Sequence, residues 1–181
     1  MTKLDILNHS IYNKDIGKPI HHTLNRIKSH KSIEGKLKRL GLSDSVMDAK
    51  DNLTDIAGIR VICHFPEEIY DLVKCLKRQS DLIVIKEKDY IKNPKPSGYR
   101  SFHLVLNVPV HLSSSKTTVP VEIQIRTIAM DFWASLEHQL RYKPTGTITP
   151  EISEELRQCA ERIAETDIQM QKLYTEINDI N

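Results

Sequence analysis

Cysteine is scarce in this chain, its net charge is small, and long apolar runs are missing. The three cysteines, Cys63, Cys75 and Cys159, are odd in number and far apart, which argues against a disulfide framework or a zinc ribbon and favours small core residues. A net charge of +2 creates no field that would mark a nucleic-acid binder. No apolar run reaches membrane-spanning length and no signal-peptide pattern opens the chain, so we expect a cytoplasmic protein with no membrane partner.

What is present is the balance of an ordinary globular domain. The chain has 181 residues, of which 28% are charged and 39% hydrophobic, which is enough for one domain with a core. We see no internal repeat and no low-complexity tract. We therefore expect one domain over residues 1–181, with N-terminal helices at about 4–41, a sheet core at about 53–143 and a C-terminal helix at about 151–178.

The order of helices and strands predicts the fold class. Ile20, Leu24 and Ile27 follow the helical period, so the first region is predicted to be helical up to Leu40, where Gly41 closes it. A linker rich in Ser and Asp follows. We predict strands at about 59–65, 82–88, 102–110 and 119–126, and helices at about 66–78 and 128–142. This order is typical of an α+β fold with a mixed, mostly antiparallel sheet flanked by N- and C-terminal helices.

The C-terminal helix carries a narrow apolar stripe. Its steps of four and three residues form a heptad seam made of Ile152, Leu156, Cys159, Ile163, Met170, Leu173 and Ile177. The seam could cover the protein's own sheet. A strict, narrow stripe is more typical of packing against a partner helix, which we favour.

Two segments combine polar side chains with strand periodicity. In VEIQIRT, Glu122, Gln124 and Arg126 share one face of a strand, and the opposite face is fully apolar. In SGYRSFHL, Tyr99 and His103 supply an aromatic ring and an imidazole, with a cation between them. A carboxylate on a rigid sheet, beside an aromatic platform and cations, suits a nucleotide and its metal.

A basic ridge and a second acid extend this pattern. Lys28, Ser32 and Lys36 are spaced i, i+4, i+8, which makes one polar ridge that could bind a polyphosphate; a solvated basic helix face is the alternative. Asp55 stands just before a strand, where a carboxylate is a good magnesium ligand, although Asp is also a common turn residue. Together with Glu122 it predicts a metal-dependent phosphotransfer site.

The combined motifs resemble those of the RelA/SpoT-type alarmone synthetases. The resemblance rests on DIAGIRV, KPSGYRSFHL and VEIQIRT followed by AMDFWASLEH and YK, and runs from about Arg26 to Lys143. The length resembles the small, single-domain RelQ/RelP kind. This implies a nucleotidyltransferase-like sheet, Mg²⁺, and transfer of pyrophosphate from ATP to the 3′-hydroxyl of GDP or GTP, giving AMP and (p)ppGpp. It also implies a homotetramer formed through terminal helices.

The resemblance assigns a role to each residue of the site. On the ATP side it implies an adenine sandwich by Arg26 and Arg60 and phosphate contacts from Lys28, Ser32 and Lys36. Asp55 and Glu122 resemble the magnesium ligands, and Glu122 also resembles the group that activates the 3′-hydroxyl. For the acceptor it implies guanine stacking on Tyr99 and contacts from His103, Lys95, Lys88 and Gln124. Arg126, Arg100 and Glu137 are as well explained by structural hydrogen bonds and ion pairs, and Trp133 by the core.

Some features limit the implied function. The chain has no His-Asp dipeptide and no room for a second catalytic domain, so no hydrolase activity is expected. RelQ-like chains tend to carry Asn where this one has Asp131, at a position associated with product binding between subunits; an anion there would repel phosphates, which favours the RelP-like type. The alternatives are a catalytically inactive nucleotide-binding regulator and an RNA-binding module. RNA binding stays open but is not favoured, because net charge is low and aromatics are few.

Overall fold

The computed structural model describes residues 2–10, 18–141 and 148–180. They form six helices, α1 Thr2–Ser10, α2 His30–Arg39, α3 Val46–Asn52, α4 Pro66–Lys77, α5 Ile128–Arg141 and α6 Pro150–Asp179. They also form five strands, β1 Ile20–Ile27, β2 Ala57–Cys63, β3 Ile83–Asp89, β4 Phe102–His111 and β5 Lys116–Thr127. Tyr142 and Lys143, with which the resemblance ends, lie outside the described residues.

The five strands make one sheet in the order β1-β2-β5-β4-β3. β2 and β5 pair in parallel, and the other three neighbouring pairs are antiparallel. The predicted α+β fold with a mixed, mostly antiparallel sheet is therefore confirmed, as is the hairpin of β4 and β5. The buried strand residues Val61, Leu104 and Ile125 pack with Ile69 and Leu72 of α4 in the main core.

Residues 20–27 correct one prediction, because they form strand β1 and not a helix. β1 pairs along its length with β2, from Ile20 opposite Cys63 to Ile27 opposite Ala57. The helical spacing of its apolar residues marks no core face, since Leu24 is 50% exposed and Ile27 81% exposed. Backbone pairing to a strand distant in sequence outweighed the local period.

The stretch predicted as a Ser/Asp-rich linker is also corrected, because it contains helix α3. The hydroxyl of Ser45 accepts a hydrogen bond from the backbone N–H of Asp48 and so caps the first turn. Ala49 and Leu53 then pack against Leu37 of α2 in a small second core. The polar composition of this stretch did not indicate a helix, because α3 packs only one face against the core.

Helix α6 divides the predicted seam between two environments. Leu156 and Ile163 pack near Trp133 of α5, and the indole N–H of Trp133 donates to the Leu156 carbonyl at 3.0 Å. Other seam residues face outward, with Met170 54% and Leu173 45% exposed. The seam thus contributes both to the fold and to the surface.

The cysteines and the helices bear on two further expectations. Cys63 is fully buried and Cys75 partly buried, but Cys159 is exposed, so the expectation that all three are core residues is wrong for Cys159.

None of the described helices combines the length and the apolar character needed to cross a membrane.

Candidate active site

Strand register gathers the polar residues of the sheet on one face. Paired residues on neighbouring strands share a face, and so do residues two apart along a strand. One row across all five strands consists of Leu24, Arg60, Gln124, His103 and Lys88. The adjacent row consists of Arg26, Gly58, Glu122, Val105 and Lys86. Glu122 therefore lies at the centre of the sheet, with cations on both sides.

Two pockets open on this face and share Asp55 and Glu122. One pocket contains most of the residues expected to bind ATP and is therefore called the donor-side pocket; it is lined by Arg26, Lys28, Arg60 and Gln124 in addition to the two acids. The other contains most of the residues expected to bind the acceptor and is called the acceptor-side pocket; it is lined by Lys36, Lys86, Lys88, Tyr90, Lys95 and His103 in addition to the same acids. Both pockets are thus basic at the outside and acidic where they meet.

Asp55 is held between two lysines. Its carboxylate accepts from Lys28 Nζ at 2.6 Å and from Lys36 Nζ at 2.7 Å. Burial raises the pKa of Asp55, but the two ammonium groups outweigh it and hold the pKa below its ordinary value. The backbone N–H of Lys28 also donates to the Ile56 carbonyl, which ties the end of β1 to the Asp55 loop.

Glu122 belongs to a closed ring of hydrogen bonds. It accepts from Gln124 Nε2 at 2.9 Å and lies 3.3 Å from His103 Nδ1. The ring continues from His103 Nε2 to the Tyr99 hydroxyl at 2.9 Å, and Arg126 donates both to that hydroxyl, at 2.5 Å, and to Gln124 Oε1, at 3.2 Å. The bond with His103 lowers the pKa of Glu122, burial opposes it, and Gln124 lowers it further, so the group stays ionised.

Arg126 and Asp131 are more central to the site than sequence reasoning indicated. The Arg126 side chain is only 5% exposed, and its guanidinium lies over the Tyr99 ring, 4.9 Å from the centre. Asp131 accepts from Arg126 and also lies 3.3 Å from Arg60. The Asp131 carboxylate thus lies between two guanidiniums, and the expectation that it would repel phosphates remains a prediction.

Most predicted site residues line one of the pockets, but some are placed differently from the expectation. Gln124, expected at the acceptor, lines the donor-side pocket, and Lys36, expected at the ATP, lines the acceptor-side pocket. Ser32 and Tyr99 are absent from the described linings; the Ser32 hydroxyl lies 3.0 Å from that of Ser29. The expected roles of all the site residues remain predictions.

Tyr90 is the aromatic residue that sequence reasoning missed. It lines the acceptor-side pocket, with its ring edge-on to His103 and with Lys95 Nζ 4.8 Å from the ring centre. The sequence contains a signal for Tyr90 as a site residue, since it follows β3 directly and has lysines on both sides. Lys86 also lines this pocket, and sequence reasoning assigned it no role.

Asp55 and Glu122 are the residues that could hold a metal between the pockets. Their oxygen ligands suit Mg²⁺. The hydrogen bond with His103 has the largest effect on the pKa of Glu122 and lowers it, while the negative charge of Asp55 opposes this with a smaller effect. A second group of ligand atoms within 4.8 Å of one another belongs to His30, Glu34 and Asp44, on the surface outside both pockets.

The chain is similar in sequence to a known protein family and to known enzymes. Residues 25–147 match the family model described as the region found in RelA/SpoT proteins. The chain is 44% identical over 178 residues to GTP pyrophosphokinase YwaC of Bacillus subtilis (strain 168), covering 98% of this chain and 84% of that protein.

Solved structures agree as well. The crystal structure of small alarmone synthetase 2 from Bacillus subtilis matches with a TM-score of 0.86 and 43% identity over 97% of this chain and 91% of that one. Small alarmone synthetase 1 from the same species, bound to its product pppGpp, matches with a TM-score of 0.87 and 35% identity over 97% and 89%. With the shared acidic centre and the two basic pockets, these matches show that the chain belongs to the RelA/SpoT family, among its small alarmone synthetases of the RelP/RelQ type.

Proposed function

We propose that this protein transfers pyrophosphate from ATP to the 3′-hydroxyl of GDP or GTP, giving AMP and (p)ppGpp. The observation that carries the proposal is that two basic pockets meet at Asp55 and Glu122. A phosphate chain entering from one pocket and a ribose entering from the other would meet at those carboxylates. The relatives named GTP pyrophosphokinase and the relative bound to pppGpp support the same reaction.

The donor-side residues suit ATP. Arg26 and Arg60 stand on neighbouring strands, with Arg26 opposite Gly58 and Arg60 two residues further along the same strand. Planar guanidiniums stack well on a purine, so they would hold the adenine. Lys28 and Lys36 would turn from Asp55 to the phosphates, because both are flexible ammonium groups near the acidic centre. Ser32, on the same helix as Lys36, would donate a hydrogen bond from its hydroxyl to the phosphates.

The acceptor-side residues suit a guanosine phosphate. Lys88, Lys95 and His103 border the pocket; the two lysines would neutralise the phosphates of the acceptor nucleotide, and His103 would contact that nucleotide. Tyr99 would stack on guanine once its ring leaves the two cations near it, Lys95 Nζ and Arg126, which lie 4.6 Å and 4.9 Å from the ring centre. Gln124, beside Glu122, would hydrogen-bond to the acceptor ribose.

In the reaction, Glu122 would take the proton of the 3′-hydroxyl. The 3′-oxygen then forms a bond to the β-phosphorus of ATP, the bond from that phosphorus to the oxygen bridging it to the α-phosphate breaks, and AMP leaves with that oxygen. The lowered pKa keeps Glu122 ionised and able to accept. Gln124 and His103 hold its two oxygens in a fixed orientation.

Magnesium is part of the proposal. Asp55 and Glu122 would hold it, and it would supply charge stabilisation to the transferred phosphates. At present the ammonium groups of Lys28 and Lys36 are the cations beside Asp55, so they would release it as the metal and the nucleotide bind. Removing divalent cations should therefore abolish transfer.

The decisive experiment incubates the protein with labelled ATP, GDP and magnesium and separates the products. We expect ppGpp and AMP in equal amounts, and no product when a chelator is present. Binding of both nucleotides without transfer would instead favour the inactive regulator. No hydrolysis of ppGpp is expected in the same assay.

The proposal also includes the setting of the enzyme. Residues 1–181 would form one synthetase domain working in the cytoplasm. The outward-facing residues of α6, such as Met170 and Leu173, would pair with other copies to build a homotetramer. Helix α5 also carries exposed apolar residues, Phe132 at 58% and Leu136 at 49%, which would take part in the same assembly.

A further inference from the structure

We propose that Asp131 is a positioning residue that couples the donor-side and acceptor-side pockets, an inference that rests on the proposed function. Asp131 lies on α5, in the first turn. A single oxygen, Oδ1, accepts from Arg126 Nη1 at 3.0 Å and lies 3.3 Å from Arg60 Nη1. Arg60 lines the donor-side pocket, whereas Arg126 reaches the acceptor-side pocket through the Tyr99 hydroxyl, which lies 2.9 Å from His103, so this oxygen connects the two sides.

The two arginines have different surroundings. Arg60 lines the donor-side pocket, where its side chain is 35% exposed and open to a ligand. Arg126 is buried and holds Tyr99, both through the hydroxyl at 2.5 Å and by lying over the ring. If Arg60 moved toward a bound purine, the hydrogen bond between Asp131 and Arg126 would change. The position in which Arg126 holds Tyr99 would then change as well.

The arrangement requires a carboxylate. Burial lowers the pKa of Arg60, and the positive charge of Arg126 lowers it further, while Asp131 opposes both. Within the described part of the chain, the Nε groups of both arginines are also buried without a hydrogen-bond partner. Two incompletely satisfied cations thus share one anion, and an amide in its place would keep an acceptor oxygen but remove the negative charge that both cations share.

The coupling can be measured as a binding effect. Calorimetry would give the dissociation constant of a non-hydrolysable α,β-methylene ATP for the parent chain, with and without saturating GDP, and the reciprocal titration. We expect each nucleotide to change the affinity of the other by about 5-fold or more, the lower end of typical coupling between sites. In Asp131→Asn, the effect should fall to within about 2-fold, although both nucleotides still bind.

Matched variants separate coupling from a general loss of structure. Asp71→Asn makes the same chemical change in the exposed ion pair with Lys74 and should keep the parental coupling. Asp131→Glu keeps the negative charge and should therefore retain part of the coupling between the two nucleotides.

The outcomes are distinct. A parent chain that binds neither nucleotide would refute the proposed function itself. A parent chain that binds both without any mutual effect, or an Asp131→Asn variant that keeps the parental effect while its thermal midpoint falls, would overturn the coupling role and leave Asp131 as a structural ion pair.

Discussion

At the scale of single residues, Glu122 is oriented before any substrate binds. Replacing it with Gln keeps the size and the strand position but removes the base and one metal ligand. We expect synthesis to fall by ~100-fold or more while the fold is kept, because each of those contributions is typically of that size. Initial rates of ppGpp formation would test this, with an unchanged thermal midpoint as the control. A variant with half of the parental rate would show that Glu122 is not the base.

Tyr99 and Arg26 should separate the two nucleotides kinetically. Tyr99→Ala should raise the KM for GDP much more than that for ATP, since stacking of a base on an aromatic ring is worth ~1–3 kcal/mol. Arg26→Ala should do the reverse, because Arg26 lines the donor-side pocket. Steady-state kinetics with each substrate varied in turn would measure both effects. Equal changes in the two KM values for Tyr99→Ala would place Tyr99 outside the acceptor site.

Asp167 gives a pH dependence of stability. It is buried in α6 and accepts from the Thr127 hydroxyl at 2.6 Å, and burial raises its pKa. A raised folded-state pKa means that the protonated carboxyl contributes stability at low pH, which is lost as pH rises through the folded pKa. Asp167→Asn should therefore be more stable than the parent at about pH 7 and similar to it near the ordinary pKa of 3.8.

Thermal unfolding across this range would measure the effect of Asp167→Asn. Each kcal/mol recovered corresponds to roughly 2–4 °C in the midpoint for a chain of this size. A stability difference that does not change with pH would contradict the assignment.

At the scale of elements, the loop between β3 and β4 lies directly on α6. Gly98 has φ +90°, and an added Cβ would stand 2.5 Å from the Ala160 Cβ. The neighbouring Arg100 donates to the Gly98 and Ala160 carbonyls. Helix α6 therefore supports the segment that carries Tyr99, which links the C-terminal helix to the acceptor side.

Gly98→Ala should destabilise the protein and raise the KM for GDP. The left-handed backbone alone costs ~1–2 kcal/mol with a Cβ, and the contact with Ala160 adds to it. Gly35→Ala is the matched control, since Gly35 lies in helix α2 with open space around it and should stabilise by ~0.4–1 kcal/mol. Chemical denaturation and steady-state kinetics would measure the two effects. An unchanged KM for GDP in Gly98→Ala would separate the loop from the acceptor site.

At the scale of the whole molecule, the outward part of α6 is the natural probe of assembly. A charged substitution at Ile163 would not test assembly alone. Ile163 packs near Trp133 inside the fold, so a charge there would disturb the protomer itself. Leu173 is 45% exposed, so a substitution there changes the outer surface of α6 and leaves the core intact. We expect light scattering to give a tetramer mass for the parent chain and a smaller species for Leu173→Asp. A parent chain that is monomeric at micromolar concentration would refute the tetramer.

The sequence by itself determined the centre of the site. The period of two placed Glu122 and Gln124 on one face of β5, and motif order was enough to identify the family and the mixed sheet. Helices α4, α5 and α6 were also predicted within a few residues, because their apolar periods and Pro66 are local signals. These properties depend on neighbours in the chain, which a sequence displays directly.

Only the tertiary structure decided which residues meet across the sheet. Residues 20–27 became a strand because β2 offered backbone partners from far along the chain, which no local period reveals. The shared carboxylate of Asp131, and the enclosure of Tyr99 by Lys95 and Arg126, arise where β2, β5, α5 and a loop converge. Such contacts depend on distances between segments that are remote in sequence, so the fold had to be known before they could be seen.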